Sequence, residues 1–166
     1  MYADREPGKE YTETGLEIVD PEKDDRVFAV LDEACNRSCH TKRWADHAAK
    51  VFERKGVPFG PLNGEKLIYK GIAGAVSTGR RNVSLAFELM SRTDAYTSAV
   101  WVSNELDSSD EHYMLLSRTA QVTLGLRLDK GEDTCYLKSY NDYVQLYAIR
   151  STGLCAICIS EAVPER

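Results

Sequence analysis

The sequence predicts a mostly β domain that carries one substantial helix, and three observations predict it. From Phe59 onward, short runs rich in Val, Leu, Ile, Tyr and Trp are broken by Gly, Asn and Asp turns, the pattern of strands. One longer stretch, Trp44, Ala48, Val51 and Phe52, recurs at helical spacing and marks one apolar face. With 43% hydrophobic and 28% charged residues over 166 positions, the chain can bury a single core without staples.

Each element follows in order. Residues 1–25 are polar and acidic, with Pro7-Gly8 and Pro21 as breakers, and predict a flexible lead-in. Val27-Phe28-Ala29-Val30-Leu31 is a continuous apolar run that stops at Asp32, a buried strand delivering a carboxylate at its end. Thr41 or Ser38 can cap the helix that follows, and Gly56 with Pro58 ends it. Residues 67–69 read as a short strand and Gly71-Ile72-Ala73-Gly74 as a flexible turn. Residues 83–89 alternate with period two, and 96–102 are β-branched and aromatic. The apolar run at 113–116 precedes a short helix over 119–124, which Gly125 closes. Strands at 126–129, 135–137, 144–149 and 154–159 complete the chain, with a turn at 130–133. The expected organisation is a lead-in (1–25), one domain (26–160) and a tail (161–166), with no internal repeat.

The net charge of −5 is unevenly placed: residues 1–25 carry nine acids against Arg5, Lys9 and Lys23, so the remainder is nearly neutral. A nucleic-acid binder needs a basic face to neutralise phosphates, and Lys42-Arg43 with Arg80-Arg81 is too little. No apolar run approaches the roughly 20 residues of a membrane helix, and Met1 to Glu6 lack a signal-peptide pattern, so a cytoplasmic or intracellular protein is expected. The Gly residues at 71, 74 and 79 fit neither a dinucleotide nor a phosphate loop, and no cofactor is expected. Five cysteines raise a zinc reading from Cys35-x3-Cys39-His40 and Cys155-x2-Cys158. Residues three apart on a strand face opposite ways, so Cys155 and Cys158 read instead as buried apolar groups, and no metal site is expected. His40, His47 and His112 have no nucleophile partner at a telling spacing and read as surface or helix-face residues. Trp44 and Trp101 read as core.

Three features in order carry a resemblance. Ala29-Val30-Leu31-Asp32-Glu33-Ala34 ends an apolar strand in a carboxylate. Tyr69-Lys70-Gly71-Ile72-Ala73-Gly74 brackets a turn with glycines. Tyr113-Met114-Leu115-Leu116-Ser117-Arg118 leads into a short helix. In that order, over about residues 26–130, the chain resembles the retropepsin-like aspartic proteases of retroviruses and retrotransposons. The resemblance implies a closed β-barrel of the acid-protease fold, a half-site monomer, with the helix near 41–55 inserted between active-site strand and flap. It implies Asp32 as catalytic residue, Glu33 and Ala34 in the active-site loop, and Gly71, Ile72, Ala73 and Gly74 as a substrate-covering flap. Leu115, Leu116, Ser117 and Arg118 are then the supporting second motif.

The chemistry the resemblance implies is a shared proton: two close carboxylates do not both ionise, so one holds a proton while the other acts as base on water. One chain offers one such Asp, so a homodimer acting on an extended peptide or polyprotein is implied. Glu33 and Ala34 stand where the family has Thr or Ser and Gly, and Ser117 where it has Gly. That departure supports an alternative, a non-catalytic relative kept for peptide binding or dimerisation. A zinc-binding structural domain is the third reading.

Overall fold

The computed structural model describes residues 8–63, 67–68, 76–91, 96–107 and 111–160. Strands β1 (Glu17–Val19), β2 (Phe28–Leu31) and β3 (Cys39–Thr41) lead into helix α1 (Lys42–Arg54). Strands β4 (Leu67–Ile68), β5 (Val76–Glu88), β6 (Tyr96–Leu106) and β7 (Met114–Leu116) precede helix α2 (Arg118–Leu124). The chain ends with β8 (Leu126–Asp129), β9 (Thr134–Leu137), β10 (Asp142–Val144), β11 (Leu146–Ile149) and β12 (Cys155–Cys158). The protein is mostly β, as its patterning predicts. One sheet has the order β1-β11-β12-β2-β7-β3-β6-β5-β4 and a second the order β10-β9-β8.

The placement of β7 positions the site. It lies between β2 and β3, parallel to the first with Leu115 opposite Val30, and antiparallel to the second with Leu115 opposite Cys39. A late strand slotted between two early ones brings the turn after β2 beside the turn after β7. All four residues of β2 are buried. Ala29 and Leu31 join the main core, while Phe28 and Val30 join a second cluster with Val19, Tyr147, Ile149, Ala156 and Cys158. A strand covered on both faces must be apolar at every position, hence the unbroken run.

Helix α1 seals the main core. Its buried face is Trp44, Ala45, Ala48, Val51 and Phe52. The Thr41 side chain accepts from Trp44 N at 3.2 Å, and the Trp44 indole donates to Phe28 O at 2.9 Å, fixing the helix to β2. For α2, Ser117 is the cap, accepting from Ala120 N at 3.1 Å. Gly125 closes α2 at φ +78°, a left-handed conformation that costs glycine little.

Two expectations meet a different arrangement. The hydrogen-bonded ladder among the described residues is an open sheet, not a closed barrel. The reason is edge occupancy: β12 has β2 on one side and β11 on the other, leaving no edge for β5. β5 crosses the core and meets the chain just past β12, Ala86 N donating to Ile159 O at 3.2 Å, while Leu89 bridges to Val144. Residues 8–25 also do more than lead in. β1 pairs in parallel with β11, and Leu16 and Val19 are buried. Three of the acids there are paired with cations: Arg26 reaches Glu17 at 2.7 Å and Asp24 at 2.9 Å, and Arg150 reaches Glu10 at 2.7 Å.

Cys155 packs against the main core and Cys158 in the second cluster, so the two point to opposite faces as strand geometry dictates. Among the described residues, no group of three His, Cys, Asp or Glu is placed to hold a metal, and no helix is long and apolar enough to cross a membrane. The expected flap, Gly71, Ile72, Ala73 and Gly74, and the tail at 161–166 lie outside the described residues.

Candidate functional site

The turn after β2 is built around Asp32. Its N–H donates to Leu116 O at 3.2 Å, extending the β2–β7 ladder by one residue. Its Oδ1 accepts from Ala34 N at 2.9 Å, the short return that an Asp makes at the head of a turn. Among the described residues the carboxylate has no other partner. Alternation along β2 puts Asp32 on the face of Phe28 and Val30, away from the main core, and it is half-buried there. Glu33 is exposed, its nearest cation Lys130 at 3.9 Å.

The second motif meets this turn directly. Arg118 N donates to Cys35 O at 3.2 Å, and Ser117 N to the Ser38 hydroxyl at 3.0 Å. The Ser38 and Ser117 hydroxyls bond at 3.2 Å, and both residues are buried. Gln121 donates to Leu116 O at 2.9 Å. Asn104 on β6 adds a bond from its N–H to Ser38 O at 3.0 Å. So Asp32, Glu33, Ala34, Leu115, Leu116, Ser117 and Arg118 come together as one double turn. Ser38, read from sequence as a possible helix cap, is the clasp of that double turn, and Thr41 caps the helix instead.

Two open grooves flank the double turn. One, about 650 Å³, runs over the Asp32 face of the sheet, floored by Phe28, Val30, Leu115 and Ile149 and walled by His112 and Tyr113. The other, about 570 Å³, is lined by Asn36, Arg37, Arg80, Val100, Trp101 and Val102. Trp101, expected in the core, is only partly buried.

Sequence reasoning missed a buried polar chain beside this site. His40 is fully buried on β3, not a surface residue. Its Nδ1 lies 2.7 Å from Ser103 Oγ and its Nε2 3.2 Å from Glu105 Oε1, which also accepts from Arg81 Nε at 2.7 Å. Arg81 in turn donates to Gly60 O at 3.0 Å. Burial raises the Glu105 carboxyl, but hydrogen bonds from His40 and Arg81 outweigh it and pull it down to about 2. Burial holds His40 below its usual range despite Glu105. The pair is therefore a neutral imidazole beside a carboxylate: Nε2–H donates to Glu105, and Nδ1 accepts from Ser103 O–H. The order Ser–His–Glu has the parts of a nucleophile triad, yet Ser103 is 0% exposed and no substrate carbonyl reaches it. Cys39, His40 and Thr41 are all buried, so β3 shows no alternation that marks His40 as internal.

Comparison with protein-family models, with curated proteins and with solved structures finds no match.

Proposed function

We propose that the chain is a retropepsin-like aspartic endopeptidase working as a homodimer. The observation that carries the reading is the joining of the two motifs: the Asp32 turn and the Leu116-Ser117-Arg118 turn, distant in sequence, share hydrogen bonds across the inserted strand β7. Support comes also from the Asp32 carboxylate, half-buried with its Oδ1 bonded to Ala34 N, on the face of β2 that Phe28 and Val30 share. In the proposed step, the ionised Asp32 takes a proton from water as its oxygen attacks the peptide carbonyl carbon. The protonated Asp32 of the identical chain gives its proton to the carbonyl oxygen. Collapse breaks the C–N bond: the amine nitrogen takes a proton from one carboxyl while a hydroxyl of the gem-diol returns its proton to the other as the new carboxyl C=O forms, so the dyad ends with one shared proton as it began.

A second reading, a peptide-binding or dimerisation module without catalysis, is favoured by Glu33, whose exposed carboxylate stands beside Asp32 where the family has a hydroxyl. A peptide library assayed at mildly acid pH, with and without pepstatin, decides between them. Hydrolysis that pepstatin blocks and Asp32→Asn abolishes supports the protease. If wild type and the Glu33→Thr, Ala34→Gly variant are both silent yet bind peptides, the module reading holds.

A further inference from the structure

The long strand β6 has an edge that its neighbours leave open. On β5, Asn82 and Arg80 turn their backbone groups away from β6: Gly60 N donates to Asn82 O at 3.3 Å, and Arg80 exchanges two bonds with Asn63. Their partners across the ladder, Val102 and Asn104, therefore point their own N–H and C=O groups away from β5. Asn104 bears this out, its N–H donating to Ser38 O at 3.0 Å on the β3 side. Backbone direction repeats every second residue, so Val100 faces the same way as Val102. β3 reaches only Asn104 to Leu106, and among the described residues no group bonds Val100 or Val102 on that side. Proteins blunt such an edge with charge, proline or a bulge. Residues 98–103, Ser-Ala-Val-Trp-Val-Ser, carry no charge and no proline, and their ladder with β5 has no register shift.

This edge lines the groove of about 570 Å³ beside the double turn, together with Asn36, Arg37, Arg80 and Thr119. Val100 is 61% exposed and Val102 45%. Arg37 and Arg80 are exposed, no Asp or Glu lines the groove, and the Arg80 guanidinium has no partner among the described residues. We propose that the groove binds an extended acidic peptide, which adds to β6 as one more strand. Its backbone pairs with the N–H and C=O groups of Val100 and Val102, its apolar side chains cover the two valines, and its carboxylates meet Arg80 and Arg37. A second copy adding the same edge would bring its own Arg37 and Arg80 and no carboxylate, so charge favours the peptide. The inference uses neither Asp32 nor the groove on its face, and it does not rest on the peptidase reading.

The test is binding, measured by fluorescence anisotropy on the Asp32→Asn chain so that no hydrolysis intervenes. Three labelled decapeptides carry threonine at every second position, with valine and glutamate, valine and glutamine, or valine and lysine in turn between. The glutamate peptide is expected to bind about fivefold tighter than the glutamine peptide, and the lysine peptide weakest. Arg37→Gln with Arg80→Gln, both surface changes, should erase the glutamate advantage while leaving glutamine-peptide binding in place. N-methylating one alternate set of amides in the glutamate peptide should abolish binding, and methylating the other set should spare it, because an added strand pairs through one set only. Equal binding of the glutamate and glutamine peptides overturns the proposal. So does a glutamate preference that survives the double variant, or an equal effect of the two methylated sets. A peptide that splits a dimer on sedimentation also overturns it, since the edge then belongs to a second copy.

Discussion

Burial by itself would push the Glu105 carboxyl upward; His40 and Arg81 reverse this and hold it at about 2, against an ordinary 4.5. A carboxyl depressed on folding stabilises the fold fully above its unfolded value and loses that stabilisation as pH falls through the folded value. The Glu105 contribution is thus intact above about pH 4.5 and lost toward pH 2, on the order of 2–3 kcal/mol for a group this buried. His40 acts in the window above it. The folded imidazole is held neutral, so below its ordinary 6.5 the unfolded chain binds more protons and stability again falls with pH. Urea midpoints taken from pH 7 to pH 2.5 should show both declines, and Glu105→Gln should flatten the lower one. A Glu105→Gln profile parallel to wild type would show that the ion pairs contribute nothing. Ser103→Ala is expected to cost about 1 kcal/mol by unpairing His40 Nδ1, with peptide cleavage unchanged. Loss of cleavage in a folded Ser103→Ala protein would instead make Ser103 a nucleophile.

Helix α1 gives the clearest case of an element dictated by its sequence. Apolar spacing, the Thr41 cap and Gly56 fix it to within a residue at each end, and its buried face is the one the periodicity marks. Truncating its anchor, Trp44→Ala, empties a fully buried site and removes the bond to Phe28 O, with an expected loss of about 3–5 kcal/mol in urea unfolding. Thr41→Ala removes only a cap and should cost about 1 kcal/mol. Near-equal losses would mean that α1 is held by its cap, not by its packing. The strands were legible with less resolution. The unbroken run ending at Asp32 stands where the residues place it, because two-sided burial is a local fact, and the short helix read at 119–124 starts one residue earlier, at Arg118, behind a Ser117 cap that the reading did not mark. Three things were not legible. β1 depends on a partner strand 130 residues away in the chain, Glu17 pairing with Tyr147. The break of the predicted 144–149 strand at Gln145 arises because its first part joins the smaller sheet and the rest the larger one. The His40–Glu105–Arg81 chain is assembled from three strands, and no single segment carries its pattern.

At the scale of the whole molecule, one question governs the proposed activity: half a carboxylate dyad does no hydrolysis. Among the described residues the double turn brings no second acid into a bond with Asp32, so the proposed activity needs its reacting pair to form between copies. Mixing separates this from a monomeric enzyme. Suppose wild-type chains are equilibrated with an equal amount of Asp32→Asn chains, whose carboxamide keeps the shape but cannot share a proton. Random pairing leaves a quarter of all dimers wild type on both sides, and since the dimer total has doubled, activity should fall to about half that of wild type alone. A monomer would lose nothing. The Asn chain relieves the repulsion of paired carboxylates, so its dimer should be at least as tight, and sedimentation at micromolar concentration should find wild type, variant and mixture all dimeric. The nine acids in residues 1–25 work against association at low ionic strength, so added salt should strengthen the dimer until screening is complete. Full activity in the mixture, or cleavage by a chain that sediments as a monomer, would remove the dyad between copies from the mechanism and leave Asp32 without its proposed partner.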